Sequence, residues 1–255
     1  MKKRFVIYIL IAAVLIFSIG FSGCIEDSEN KIIVGTSADY PPFEYVEDGK
    51  IVGFDIELIT ELLEELGYTV EVQDIGFDSL VPSLVTGKID VIAAAMTITP
   101  LRLEKIDFTD SYYNSDQSIL LPADSDVVIE KDEDISNLTI GAQTGTTGEL
   151  WVIENLIDIE NGTMTDDQLK RYDTYTLAVL DLDNGNVDAL ILDNPVAESF
   201  AKDEDRKVEY VIQTDEYFGF GVAKGNDDLL DGLNKELESF MESDDWANLL
   251  NKYFD

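Results

Sequence analysis

The feature that most limits the possible folds is a pattern that the chain carries twice. In each copy a short apolar run ends in Gly and polar residues, first at Ile32–Ser37 and again at Leu138–Gln143. A helical segment, a Gly, an Asp and a second apolar run then follow in the same order, at Leu80–Ile92 and at Leu177–Leu190. Short buried strands that alternate with helices are typical of α/β proteins. The chain therefore predicts two lobes of similar construction, each built on a parallel sheet.

The segments around these runs predict helices and a hairpin. We expect Asp55 to cap a helix whose apolar residues follow a 3.6-residue period, and Gly67 to end it. The Asp-Gly pair within Phe43–Val52 predicts a β-hairpin. Two amphipathic helices are expected near the C-terminal end, over residues 229–241 and 244–253.

The composition excludes several classes of function. Lys and Arg number 17 against 53 Asp and Glu, and the net charge of −36 makes nucleic acid or an anionic membrane surface an unsuitable partner. The chain has no His, which excludes Ser-His-Asp and Cys-His catalysis and His-ligated metals. The single cysteine, Cys24, permits neither an intrachain disulfide nor a Cys-rich zinc site. No calcium-binding loop motif is present, so we expect no metal and no cofactor.

The N-terminal residues predict export. A basic start, Met1–Arg4, precedes an apolar run from Phe5 to Phe21, and Cys24 follows two small residues. The segment resembles a lipoprotein signal, in which cleavage before the cysteine leaves a lipid-modified N-terminus. An uncleaved anchor helix is the alternative. Both interpretations place the remaining chain outside the cytoplasm, held at the outer face of the membrane by the lipid or by the helix.

Ligands of α/β proteins gather where strands end at their carboxyl edges. The loops that follow Thr36, Ile92, Gly141 and Leu192 are therefore the candidate site. Asp90 and Asp188 stand before their strands rather than after them, so we expect both to bind backbone groups and to have no role in the site.

Several motifs, in order, resemble the polar amino-acid solute-binding proteins of ABC importers. They are Val34–Tyr45, Gly53–Leu58, Gly87–Asp90, Thr97–Arg102, Asp107–Tyr113, Gln143–Thr147 and Val187–Pro195. The resemblance covers residues 31–255 and implies a two-lobed periplasmic-binding-protein-like (type II) α/β fold that closes on a solute in the cleft. The implied divisions are a signal peptide (1–23), a tether (24–30), lobe 1 (31–114 plus 216–255), lobe 2 (118–210) and hinge strands near 114–118 and 210–216.

The resemblance also assigns roles in the site. Arg102 would grip the ligand α-carboxylate, helped by the hydroxyl of Thr97 and by the loop that contains Thr146 and Thr147. Asp193 would bind the ammonium group, together with the backbone carbonyl of Ala95. The remaining implied ligand-binding residues are Tyr40 and Phe77, whose rings would sandwich the ligand side chain, and Gln143.

Specificity is predicted from the residues at Ser37, Gln143 and Leu192. Ser37 stands where binders of basic amino acids often carry an acid, and Gln143 and Leu192 offer no charge. We therefore expect a polar uncharged amino acid, with glutamine first, and keep a basic amino acid as the alternative within this family. A dehydratase-type enzyme on the same fold is the alternative of another class. The expected partners are the free amino acid and an importer permease, and we expect a monomer.

Overall fold

The computed structural model describes residues 30–157 and 163–255. Within them, residues 32–255 form one compact unit. The predicted signal peptide, Cys24 and most of the tether lie outside the described residues. No helix in the described part of the chain is both long enough and apolar enough to cross a membrane.

The strands and helices alternate along the chain as the repeated pattern predicts. Among the described residues the strands are β1 (Lys31–Thr36), β2 (Asp39–Tyr40), β3 (Glu44–Glu47), β4 (Lys50–Val52), β5 (Thr69–Asp74), β6 (Val91–Ile92), β7 (Ile106–Phe108), β8 (Tyr113–Pro122), β9 (Ile140–Gln143), β10 (Leu169–Tyr172), β11 (Ala189–Asp193), β12 (Arg206–Phe218) and β13 (Gly221–Ala223). The α-helices there are α1 (Phe54–Glu65), α2 (Leu80–Val85), α3 (Pro100–Leu103), α4 (Thr147–Val152), α5 (Tyr175–Asp183), α6 (Asn194–Ala201), α7 (Asp227–Met241) and α8 (Asp244–Phe254).

Two five-stranded sheets form the two lobes. Their strand orders are β5-β1-β6-β13-β7 and β10-β9-β11-β8-β12. The repeated strands are parallel, β1 with β6 and β9 with β11, as predicted. Each sheet is nevertheless mixed, because β13 runs antiparallel to β6 and β8 runs antiparallel to β11. The prediction of purely parallel sheets is therefore wrong: it rested on the repeats, whereas β8, β12 and β13 belong to connections outside them.

The long strands β8 and β12 pair with each other and contain both predicted crossing segments. Tyr210 lies opposite Ile119, and Glu216 lies opposite Ser115. The register shifts between Ile212 and Glu216, so the ladder is irregular at that point. The residue boundaries of the lobes and hinges remain a prediction.

The start of α1 differs from the prediction. The residue that precedes the helix is Gly53, with φ 136°, and it gives no side-chain cap. Asp55 lies inside the first turn and is fully buried, where its carboxylate accepts hydrogen bonds from the backbone N–H of Ala95 (2.8 Å) and the hydroxyl of Tyr112 (2.5 Å). The prediction that Asp55 caps the helix is therefore wrong, because these distant donors draw the side chain inward. Gly67, at φ 84°, ends the helix as predicted.

The predicted hairpin is confirmed as β3 and β4. Asp48 and Gly49 form its turn with φ angles of 50° and 75°, which suit a tight two-residue connection. An aromatic cluster beneath it fixes its position: the ring of Phe43 lies 5.3 Å from those of both Phe218 and Phe254. The C-terminal helix α8 therefore supports the start of the hairpin.

Asp90 and Asp188 play equivalent structural parts in the two sheets. The carboxylate of Asp90 accepts a hydrogen bond from the backbone N–H of Ile33 (2.8 Å), and that of Asp188 accepts one from Thr139 (2.7 Å). Each aspartate thus joins the start of its own strand to the neighbouring repeated strand, in agreement with the prediction that both bind backbone groups.

Candidate functional site

A small cavity lies between the strand ends of the two sheets. Its lining residues are Ser37, Tyr40, Glu44, Phe77, Ala95, Thr97, Arg102, Gln143, Thr146, Thr147 and Asp193. All nine residues that the resemblance assigned to the ligand lie around this one cavity, together with Ser37. Over the described residues, no group of His, Cys, Asp and Glu side chains is placed to hold a metal ion.

The repeated strands explain why these residues meet. Ser37 directly follows β1, Thr97 lies in the loop after β6, and Gln143 and Asp193 are the last residues of β9 and β11. The carboxyl ends of all four strands therefore face one cleft, as the sequence predicts.

Leu192 does not line the cavity. Its side chain is fully buried in a hydrophobic cluster, while the next residue, Asp193, lines the cleft. Successive residues of a strand point to opposite faces, so only one of the two can reach a ligand. Leu192 is thus a core residue, and its proposed part in specificity has no support from its position.

Arg102 is held in place by backbone carbonyls from both halves of the site. The short helix α3 begins after Thr99, whose hydroxyl accepts a hydrogen bond from the backbone N–H of Arg102 (3.2 Å). The guanidinium donates to the carbonyl of Thr97 (2.7 Å) and to that of Gly145 (3.0 Å), and it lies 5.3 Å from the ring centre of Phe77. Burial lowers the pKa of Arg102 to about 10, against the opposing effect of nearby carboxylates, so the group remains charged at neutral pH. Its fixed fork can bind a carboxylate through its remaining N–H groups.

Asp193 ends β11, in the second copy of the repeated pattern, and its carboxylate accepts hydrogen bonds from two side chains. The hydroxyl of Tyr40 donates to its carboxylate at 2.5 Å, and the side-chain amide of Gln117 donates at 3.1 Å. Burial raises the pKa of Asp193 to about 8, and the negative charge of Glu216 adds to this effect. A cation bound beside Asp193 would favour its ionised form.

Two further predicted residues are positioned by contacts with the backbone. Ala95 adopts a left-handed φ of 42°, and its N–H is bound by the buried carboxylate of Asp55. Thr146 precedes α4, where its hydroxyl accepts from the N–H of Glu149 (3.3 Å) and donates to the carbonyl of Gln143 (2.8 Å). The Thr146–Thr147 segment therefore opens the helix α4.

Glu44 is the cavity residue that the sequence analysis missed. Its side chain is only 1% exposed, and its Oε2 atom has no hydrogen-bond partner. Burial raises the pKa of Glu44 well above its usual range, and the negative charges of Asp55, Asp39 and Asp193 raise it further. The available sequence signal was an acid placed between Phe43 and Tyr45 in the predicted hairpin, at a position whose burial the local pattern does not reveal.

Gln117 and Glu216 were also missed. They lie on the paired strands β8 and β12, and the amide of Gln117 donates to Oε1 of Glu216 at 3.0 Å as well as to Asp193. Both side chains are buried immediately behind the cavity. Nothing in their local sequence distinguishes them from other polar strand residues.

Comparison with known proteins identifies the family. The family model of bacterial extracellular solute-binding proteins, family 3, matches residues 32–255. The chain is 34% identical to the arginine-binding extracellular protein ArtP of Bacillus subtilis (strain 168), with 100% of this chain and 98% of that protein covered. Among solved structures, an ancestral arginine-binding protein bound to arginine has a TM-score of 0.82 and 34% identity, covering 89% of this chain and 99% of its own. The arginine-bound form of truncated ArgBP from T. maritima has a TM-score of 0.77 and 38% identity, covering 84% and 97%.

These matches confirm three predictions. The structural likeness confirms the two-lobed α/β fold. The family consists of solute-binding proteins, which supports a binding function and removes the dehydratase alternative, and its extracellular character confirms a location outside the cytoplasm. Because the match spans the whole compact unit, the chain belongs to the bacterial extracellular solute-binding proteins, family 3.

Proposed function

We propose that this protein captures a basic amino acid, with arginine as the first candidate, and delivers it to an ABC importer. The observation that carries the proposal is the buried carboxylate of Glu44, which lines the same cavity as Arg102 and Asp193 and has an oxygen without a donor. The named relatives support the same ligand class, since the Bacillus subtilis protein is named for arginine and both solved structures hold arginine.

Charge balance in the cavity favours a cationic ligand side chain. In the proposed arrangement the ligand α-carboxylate pairs with Arg102 and its ammonium group with Asp193, so the charges of the zwitterion are matched. Glu44 is then a buried acid without a counter-charge, and its burial disfavours the ionised form in the empty cavity. A guanidinium or ammonium group on the ligand side chain would stabilise the Glu44 carboxylate and bind it, whereas a side chain without positive charge would not.

Glutamine, our first expectation from the sequence, is therefore replaced by the alternative. That expectation rested on the uncharged residues Ser37, Gln143 and Leu192, the first of which stands where binders of basic amino acids often carry an acid. Glu44 lines the same cavity from the neighbouring hairpin and can provide the missing charge. A glutamine amide could hydrogen-bond to Glu44 but would bring no positive charge to stabilise its ionised form.

Isothermal titration calorimetry with arginine, lysine, glutamine and glutamate tests the proposal. We expect the basic amino acids to bind most tightly and glutamate not to bind. The variant Glu44→Gln should weaken arginine binding by about tenfold to a hundredfold, the usual effect of losing a charge-assisted hydrogen bond, and should change glutamine binding much less. Glu47→Gln is the matched control, because Glu47 lies in the same strand and is exposed. Tighter binding of glutamine than of arginine by the unmodified protein would refute the proposal.

We also propose that the two lobes close on the ligand by bending at the crossing segments, 114–118 and 210–216. A permease would then recognise and bind the closed form. Differential contact with the ligand in the closed form would drive this change. The N-terminal tether is proposed to act through lipid-modified Cys24. Mass spectrometry of the membrane-bound protein would separate this from a retained helix, since only lipidation makes Cys24 the first residue and adds acyl mass.

A further inference from the structure

Glu216 is a buried acid that binds side chains from both halves of the site without lining the cavity itself. Glu216 lies on β12, and the residue is only 8% exposed. Its Oε2 atom accepts a hydrogen bond from the hydroxyl of Thr97 at 2.6 Å and another from the hydroxyl of Thr147 at 2.6 Å. Its Oε1 atom accepts from the amide of Gln117 at 3.0 Å.

The two threonines belong to different sheets. Thr97 lies in the loop after β6, in the first sheet, whereas Thr147 is the first residue of α4, which follows β9 in the second. Their hydroxyl oxygens are only 3.4 Å apart, and both line the cavity. A single carboxylate oxygen therefore joins one hydroxyl from each half, at the edge where the two halves meet.

The position of Glu216 on the chain strengthens this interpretation. It lies at the end of the proposed hinge segment 210–216, directly after the register shift that begins at Ile212. Its partner Gln117 lies in the other proposed hinge segment and donates to Asp193 as well. The contacts of Glu216 thus connect the hinge strands to the threonines that are proposed to face the ligand carboxylate.

We propose that Glu216 is a positioning residue that latches the closed arrangement of the two halves through Thr97 and Thr147. The inference rests on the proposed function, in that the closed form is the one that holds the amino acid. Charge-assisted hydrogen bonds are stronger than neutral ones, so two of them to one oxygen favour closure substantially. Apparent affinity rises with the fraction of protein in the binding-competent state. Glu216 accordingly increases affinity without contact with the ligand.

The test compares Glu216→Gln with Asp215→Asn. Glu216→Gln removes the charge and replaces one of the two acceptor oxygens by an NH₂ group. The remaining oxygen cannot accept hydrogen bonds from all three donors, which are Thr97, Thr147 and Gln117. The second substitution, Asp215→Asn, removes the same charge from the adjacent, exposed residue, and its φ of 51° is one that Asn adopts readily. Fluorophores on cysteines introduced at the exposed positions 88 and 124, in a Cys24→Ser background, report the distance between the halves.

In the absence of ligand, we expect Glu216→Gln to shift the distance distribution towards the open form and Asp215→Asn to leave it unchanged. The arginine Kd of Glu216→Gln should rise by about tenfold, mainly through faster dissociation, and saturating arginine should restore the closed distance. A role in folding alone would lower the melting temperature without moving the ligand-free distance. An unchanged distance distribution, or unchanged or tighter arginine binding, would overturn the proposal.

Failure of this inference is distinguishable from failure of the proposed function. If the unmodified protein binds none of the basic amino acids, the proposed function fails, while the ligand-free distances still test the latch. If arginine binds and the two variants behave alike in both measurements, the function stands and the latch is rejected.

Discussion

Asp55 makes the stability of this protein depend on pH in the direction opposite to that of an acid whose pKa is lowered by an ion pair. Its carboxylate is fully buried under the site, and burial raises its pKa from 3.8 to about 7 although hydrogen bonds from Tyr112 and Ala95 act to lower it. Its second oxygen, Oδ1, is buried without a partner, so part of the charge is unsolvated. Ionisation of Asp55 therefore opposes folding.

The size of the effect follows from the difference between the folded and unfolded states. A rise of about three pKa units corresponds to about 4 kcal/mol. Between these two pKa values the folded protein keeps a proton that the unfolded chain has released, so the free energy of unfolding falls as the pH rises. The contribution of Asp55 is present in full below about pH 3.8 and has been lost once the pH exceeds about 7.

The variant Asp55→Asn isolates this contribution from those of the many other acids. The Asn oxygen can accept from both Ala95 and Tyr112, while its NH₂ group takes the unpartnered position, which costs up to about 3 kcal/mol. The unmodified protein should therefore be at least as stable as Asp55→Asn at pH 4. The order should reverse by pH 8, where the unmodified protein must bury the ionised carboxylate.

Urea denaturation of ligand-free protein at several values between pH 4 and pH 8 measures the difference. The control is Asp107→Asn, because an ion pair with Lys224 (2.8 Å) lowers the pKa of Asp107 and gives its contribution the opposite dependence on pH. For Asp55, a stability difference between protein and variant that does not change with pH would refute the argument. It would mean that the buried carboxylate has the same proton affinity in both states.

Two further predictions concern the site and the hairpin. Arg102→Lys should weaken arginine binding by about tenfold to a hundredfold with little change in melting temperature. The reason is that a Lys ammonium group cannot bind two backbone carbonyls and a carboxylate in one plane. A near-native arginine affinity of this variant, measured by calorimetry, would contradict the prediction. Gly53→Ala should lower the free energy of unfolding by more than about 3 kcal/mol, since a Cβ there would lie 2.1 Å from the carbonyl oxygen of Phe43. Gly49→Ala is its control in the same denaturation assay: no atom lies within 4 Å of its Cβ, and the loss should be about 1 to 2 kcal/mol.

The sequence predicts well the features that depend on neighbouring residues. The repeated order of strand, Gly and polar residue locates the carboxyl ends of β1 and β9, and the resemblance then brings Arg102 and Asp193 to one cleft. Both side chains are found there because a parallel arrangement places equivalent strand ends on the same edge. The tight turn at Asp48 is predicted for the same reason, since its chemistry is local.

The predictions that failed depend on partners distant in sequence. Asp55 has the residue type and position of a helix cap, yet Tyr112 and Ala95 lie 57 and 40 residues away and bind its side chain instead. The mixed direction of the sheets depends likewise on where β13 and β8 return, which no local pattern specifies. Propensity sets what a segment can do, and tertiary contacts select among those possibilities.

Glu44 shows why ligand identity was the least accessible property. Alternation along the hairpin places Phe43 and Glu44 on opposite faces, and the buried Phe43 implies a solvent-facing Glu44 if only one face is covered. Here both faces are covered, because the aromatic cluster packs on one side and the cleft lies on the other. The acid that we propose selects the ligand is therefore identified as a cavity residue only when the opposite half of the cleft is in place, because its local sequence is typical of an exposed strand.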